Sequence, residues 1–287
     1  MLAVFSKEFK SYFYSASGYI FLGVFLLFFG IFVSINNLIN ASSDYAGVVD
    51  SMKIILLLLV PILTMRIISE ETHQKTDQLL YTAPIGLNEI VIGKYLAASA
   101  LFLIGVAVTF AYPLVLSRFG TLATAQIIGE YFGFILLGFC FISIGLFISS
   151  LTESQVVSAV GTFGVFLFLL LMESIQQVLP TTRISGIIFA VIIVIVISTI
   201  VYFSTKNITV VIGTSIVGVI AMTVVYFLNK TLYEGFIVKF FGWFSLLSRF
   251  NNFSAGILSI SDIVYYISFT FAFVFLTIRM IEKRRWS

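Results

Sequence analysis

The sequence predicts an all-α, polytopic membrane protein of about eight transmembrane helices, and three observations carry that prediction. Of its 287 residues 60% are hydrophobic and only 10% are charged, far from the balance of a globular domain. Apolar runs of about 20 residues recur, the length a helix needs to cross roughly 30 Å of hydrocarbon. The runs are also continuous, as in "IILLLLVPIL" from Ile54 to Leu63. A transmembrane barrel would alternate polar and apolar residues instead.

Taken in order, Leu2 to Tyr14 ("LAVFSKEFKSYFY") place Leu2, Phe5, Phe9, Tyr12 and Phe13 on one helical face, with Lys7, Lys10 and Ser11 away from it. That is the pattern of a helix lying on a membrane surface, and residues 1–16 are read as such an interfacial segment. The membrane body then runs over 17–287. Its first apolar stretch, Gly18–Ile39, is longer than a signal-peptide core of roughly 7–15 residues and reads as a retained span. Further spans are expected over Ser51–Ile68, Tyr95–Ser117, Ile127–Ser150, Val156–Glu173, Ile184–Ser204, Ile208–Leu228 and Asp262–Arg279. The punctuation between them is polar: "NASSDYAG", "SRFGTLATA", "TESQ", "QQVLPTTR" and "STKN". Pro61 and Pro113 should kink the second and third spans. The stretch 231–259, dense in aromatics but interrupted by Lys239, Arg249, Asn251 and Asn252, suits a surface or re-entrant segment better than a further span. Cys140 is the single cysteine and lies in an apolar run, so it is expected to be a small buried residue.

Lysine and arginine bias sets the orientation. With the N-terminus inside, ten basic residues fall on the cytoplasmic side (Lys7, Lys10, Arg66, Lys75, Lys94, Lys206, Arg279, Lys283, Arg284, Arg285) and six on the other. Both termini are then cytoplasmic. The net charge of +3 comes with no basic stripe in a soluble segment, so nucleic acid is not an expected partner; the lipid bilayer is. Glu130, Glu173, Arg183 and Asp262 fall near outer span ends. Side chains there can reach the headgroups, and Glu130, Glu173 and Asp262 are also the candidates for an outer gate.

Catalytic chemistry has little to work with. There is no GxxxxGK[ST] phosphate loop, and "GLNEIVIGKY" has the wrong spacing. His73 is the only histidine, which excludes HExxH-type zinc sites. No catalytic residue, metal site or cofactor is expected in this chain.

The densest polar passage is "ISEETHQKTDQLLYTAP", Ile68 to Pro84, between the second and third spans. From Glu71 it reads as a short amphipathic helix closed by Leu79, Leu80 and Tyr81 and stopped at Pro84. A new helix follows with Asn88 as its N-cap. On spacing alone, a solvated loop that keeps the topology right and a helix pinned between two spans are equally good readings.

The wider segment, Arg66 to Lys94, resembles the cytoplasmic loop of ABC-2 type exporter permeases. The matching positions are Arg66, Glu70 and Glu71, Thr76 through Leu79 and Leu80, Pro84–Ile85 and Gly93–Lys94. Near the C-terminus, Phe253, Gly256, Asp262, Tyr265, Tyr266, Arg285 and Trp286 are similar to the last segment of the gliding-motility-associated group of those permeases. The resemblance implies a helical bundle of the type V exporter kind, with 184–228 as a hairpin added to the usual six helices. It implies that the loop 70–94 is a coupling helix docking on a separate ATPase through Glu70, Glu71, Lys75, Thr76, Asp77, Leu79, Leu80 and Pro84. Phe5, Lys7, Phe9 and Lys10 would make a second contact. ATP and Mg would be held by that partner, present as two ABC ATPase subunits. A second permease copy or a paralogue would complete the assembly in the cell membrane, with an accessory subunit bearing an extracytoplasmic domain. The rival expectation is an ATP-independent secondary transporter or channel-like protein, which calls for paired ionisable residues at the bilayer midplane and broken helices in symmetric halves. A scaffolding or sensory subunit is a third.

Overall fold

The computed structural model describes residues 1–40, 42, 45–76, 85–228 and 230–286. Among them the secondary structure is helical throughout, with no strand, and eight helices are long and apolar enough to cross a membrane. The chain forms two compact units, residues 1–168 with 246–287, and residues 169–245.

In the first unit, α1 (Leu2–Tyr14) is followed by α2 (Ala16–Val33), which continues through a wider turn, Ser34–Ile39. Next come α3 (Ala46–Thr64) and the short α4 (Ser69–His73). The third span is built from α5 (Leu87–Thr109) and α6 (Ala111–Leu116). After α7 (Thr124–Leu151) and the first part of α8 (Gln155–Val178), the unit resumes with α12 (Leu246–Ser254) and α13 (Ile260–Trp286).

The central rod is α7, against which α3, α4, α5, α12 and α13 all pack. Lipid tails are as apolar as leucine, so association in a bilayer depends on close fit and small residues rather than on expelling water. Three glycines of α7 supply that fit. A Cβ added at Gly133 would lie 2.6 Å from the Phe253 side chain, at Gly138 2.3 Å from Phe102, and at Gly145 2.2 Å from the Thr64 hydroxyl. Each notch therefore seats a side chain from a different element: α12, α5 and α3. Phe102 belongs to a cluster with Phe25 and Phe134, at centroid distances of 6.1 and 5.8 Å. On α2 the inward stripe Phe21, Phe25, Phe29 and Val33 is buried at four-residue spacing. Gly138→Ala is expected to destabilise the protein by about 1–3 kcal/mol through overpacking. Phe102→Leu, which shortens the knob, should recover part of that loss. Thermal unfolding of the parent, Gly138→Ala and the double variant with Phe102→Leu in detergent checks it, and equal stability of Gly138→Ala and the parent would refute the notch.

Pro113 acts as the sequence predicts, at a definite place. It cannot donate to the carbonyl four residues back, and the helix breaks at Phe110. The freed Thr109 carbonyl accepts from the Tyr131 hydroxyl at 3.2 Å, and that hydroxyl lies 2.7 Å from the Tyr45 hydroxyl. A carbonyl exposed by proline at membrane depth is thus satisfied from α7. Pro61 lies inside α3, which ends at Thr64. Cys140 is buried on α7.

Two expectations about boundaries need correction. The third span's helix starts at Leu87, capped by the extended backbone of Gly86, whose carbonyl accepts from the amides of Glu89 (3.0 Å) and Ile90 (3.2 Å). Asn88 is therefore within the first turn and is not the cap. The polar run "NEIVIGK" is also part of the rod, which places Lys94 two turns inside it. Among the described residues of the polar loop, helix runs from Ser69 to His73, so it begins before Glu71; the remainder of the expected helix, 77–84, lies outside the described residues. The Ser69–His73 helix stops because Lys75 takes a left-handed conformation, φ 56°, which a helix cannot continue. Asp77, Leu79, Leu80 and Pro84 lie outside the described residues.

The second unit holds the end of α8, the hairpin α9 (Arg183–Thr205) and α10 (Ile208–Leu228), and α11 (Phe236–Phe244). Lys206, at φ 49°, turns the hairpin. Midway along it the Ser198 and Ser215 hydroxyls pair at 2.9 Å. No residue of α10 is buried, as suits a helix whose faces meet lipid. The aromatic stretch 231–259 forms α11 and α12, nine residues each. At about 1.5 Å per residue neither can cross a bilayer.

Candidate functional site

At one end of the first unit α1, α4, the start of α5 and the end of α13 converge. This is the end that the basic-residue bias assigns to the cytoplasm. The local design begins where α3 stops. Residues 65–68 form a turn, and Ser149 of α7 holds it: its hydroxyl accepts from the amides of Ile68 (3.2 Å) and Ser69 (3.1 Å) and donates to the Met65 carbonyl (3.3 Å). The helix break thus leaves its backbone groups paired. Ser69 and Thr72 face inward, and Glu70 and Glu71 occupy the first turn of α4, where negative charge suits the exposed amides.

Lys94 is the centre of the arrangement. Its side chain is 2% exposed, yet each of its three ammonium donors has an acceptor: Glu8 Oε1 at 3.1 Å, Glu71 Oε2 at 2.9 Å and the Ile67 carbonyl at 2.9 Å. Lys7 closes the group from outside, 3.1 Å from Glu71 and 3.3 Å from Glu8. Two lysines and two carboxylates cancel in charge. A buried cation is tolerable when paired and fully hydrogen-bonded in this way. Burial disfavours the Lys7 ammonium, but Glu71 and then Glu8 outweigh it and raise its pKa above the ordinary lysine value. Because the folded value exceeds the unfolded one, the contribution of Lys7 is complete at neutral pH. It is lost only as pH rises through the folded value.

Two further ties complete the junction. Arg284 of α13 donates to the Thr72 hydroxyl at 3.1 Å, and the Tyr12 hydroxyl donates to the Leu63 carbonyl at 3.3 Å. Gly93 lets α1 approach α5, since a Cβ there would sit 3.1 Å from Val4. Beside the ion group is a polar recess of about 380 Å³, lined by Lys7, Ser11, Tyr12, Arg66, Glu70 and Gln74 among others.

The sequence-predicted residues divide accordingly. Glu71 is turned inward onto Lys94 and Lys7. Glu70 is half-buried and paired with Arg66 at 3.0 Å, while Lys75 and Thr76 are exposed. On α1, Lys7 and Lys10 are exposed and Phe5 and Phe9 are half-buried, their rings 5.7 Å apart. The face of α1 turned to the bundle is centred on Val4 rather than on Leu2, which is exposed. Glu8 had no place in the sequence reading. Its signal was there, since Glu8 is four residues from both Val4 and Tyr12 and so falls on their face.

At the opposite end, Glu130 and Asp262 are buried, not extended to the headgroups as their positions near span ends suggested. Both are engaged by α12. Glu130 accepts from the Ser254 hydroxyl at 2.7 Å, and Asp262 accepts from Arg249 at 2.9 Å and Asn252 at 2.7 Å. The Arg249 guanidinium also stacks 3.9 Å over the Tyr265 ring. Glu173 belongs to the second unit, on α8, and Arg183 there pairs with Glu234 on the surface.

The family model for the ABC-2 family transporter protein matches residues 2–182, more than half of the chain. The chain belongs to that family. No curated protein matches its sequence. The part shared with other ABC-2 family proteins contains α1, α4, Lys94 and α7, and so every member of the ion group. The match stops at residue 182, one residue before the α9–α10 hairpin begins. In this ABC-2 protein the hairpin, the aromatic segment and α13 lie beyond the matched region. Among the described residues no cluster of histidine, cysteine or carboxylate side chains is suited to a metal ion.

Proposed function

We propose that this chain is the membrane-spanning half of an ATP-driven exporter, working with a separate ABC ATPase whose nucleotide closure is delivered at the Lys94 end. The observation that carries the reading is the ion group itself. Through Lys94, Glu8 and Glu71, the surface helix α1, the turn after α3 and the rod α5 are joined, with α13 tied in by Arg284. A force applied to α4 therefore reaches three spans at once. Glu70, His73, Gln74, Lys75 and Thr76 present the outer side of that junction. With Asp77, Leu79, Leu80 and Pro84 they make the docking surface, and Phe5, Lys7, Phe9 and Lys10 flank it. Glu71 serves as the fastening behind the surface. ATP and Mg belong to the ATPase pair, and two permease copies, or one and a paralogue, complete the transporter. The likeness of the last segment to the gliding-motility-associated group extends the same reading to an accessory extracytoplasmic subunit.

The test separates docking from fastening. Glu70→Lys combined with Asp77→Lys is expected to abolish co-purification of an ATPase from host membranes. The protein itself should stay within about 1 kcal/mol of the parent stability, since Glu70 loses only a partly exposed pair. ATPase retained on that variant would count against this docking surface.

A further inference from the structure

A second feature of the first unit has no part in the coupling reading. A groove of about 970 Å³ runs between α5 and α13, with α7 as its floor. Its chemistry changes along its length. The deep part is walled by Tyr95, Leu96, Phe139, Ile267, Phe271 and Val274, and Phe271 is 71% exposed. The end at the start of α5 is lined by the exposed Asn88, Glu89 and Arg279 and the half-buried Glu282. From Tyr266 to Glu282 the α13 wall extends about 24 Å, and from Leu87 to Leu96 the α5 wall about 14 Å, by helical rise. The shorter wall equals half of a hydrocarbon core of roughly 30 Å. The groove is thus polar only at the cytoplasmic membrane surface and apolar through one leaflet, which is the profile of a single amphiphile.

The charges at the mouth select the headgroup. Arg279 and the Asn88 amide are placed to donate to a phosphate, and Arg279 is paired with Glu282 at 2.6 Å. Glu282 and Glu89, the latter bonded to the Met1 amine, offer carboxylates to an ammonium. Arg284, one turn from the mouth, is directed to Thr72 instead. With the Met1 ammonium on Glu89 and Arg279 on Glu282, two cations and two carboxylates balance at the mouth, a neutral set that complements a zwitterion better than a net-negative headgroup. We propose that this groove holds one aminophospholipid of the inner leaflet, phosphatidylethanolamine in type, bracing α5 against α13.

The 287-residue chain in nanodiscs of equal phosphatidylethanolamine and phosphatidylglycerol, extracted into mild detergent and weighed by native mass spectrometry, tests this. One phosphatidylethanolamine per chain should be retained. Val274→Trp, which fills the apolar wall, should cut the retained fraction by about tenfold, the effect of losing about 1.4 kcal/mol. Ile195→Trp, on the exposed face of α9, should not. Arg279→Ala with Glu282→Ala trims two side chains at the groove mouth that are 60% and 42% exposed and should lower retention severalfold, so the test survives if Val274→Trp fails to fold. Retention unchanged by both groove variants, or a preference for phosphatidylglycerol, would overturn the proposal. So would a disulfide between two chains through Phe271→Cys, since the groove would then be filled by a second copy.

Discussion

Lys94→Met is expected to cause the largest loss of stability of any single change near the proposed docking surface. Methionine is close in length and apolar, so packing is nearly kept while the charge goes. Removing one partner of a buried ion pair costs about 3–5 kcal/mol, because the remaining charge is buried without compensation. Here Glu8 and Glu71, at 15% and 17% exposure, retain Lys7, which argues for the lower end, about 3 kcal/mol. The melting temperature in detergent should fall by on the order of 10 °C. Glu71→Gln added to Lys94→Met removes one stranded carboxylate and should return part of the loss, with a coupling energy of about 1–3 kcal/mol in the double-mutant cycle. Additive effects of the two changes would show that Lys94 and Glu71 do not act as a pair.

Asp262→Ala is the second large effect, and it separates two roles for an outer acidic residue. The carboxylate sits in the first turn of α13, 3% exposed, and receives both Arg249 and Asn252 from α12. Its removal strands a partly buried guanidinium and an amide, which we expect to cost about 3 kcal/mol. Arg249 keeps its stacking on Tyr265, worth about 1 kcal/mol, too little to offset that. A residue acting only as a gate would alter transport and leave the melting temperature unchanged. A clamp between α12 and α13 would lower the melting temperature whether or not transport is assayed. Asp262→Asn, which keeps an acceptor for Arg249, should fall between the parent and Asp262→Ala.

How far the sequence could be read differs by the kind of signal each element left. The eight spans were legible because bilayer thickness imposes a length and a composition that no globular core mimics. The Pro113 break was legible because proline's missing N–H acts on its own helix. The inward turn of Glu71 and the recruitment of Glu8 were not. Both depend on Lys94, 23 and 86 residues away, and an acidic residue written between polar neighbours looks alike whether it faces solvent or a buried ammonium. The outer carboxylates misled for a related reason. Position near a span's end permits a side chain to reach water, but α12 folds over Glu130 and Asp262 and supplies their donors locally.

Hydropathy alone determined that this chain is built of eight helices long and apolar enough to cross a membrane, and the bias of its basic residues is the local signal for orientation. Those properties are sums over local segments and need no knowledge of neighbours. Only the tertiary structure decided which polar residues are fastened inside and which remain exposed. That choice is made by distances between helices far apart in the chain, where one buried ammonium with three acceptors leaves its carboxylates no freedom to face outward.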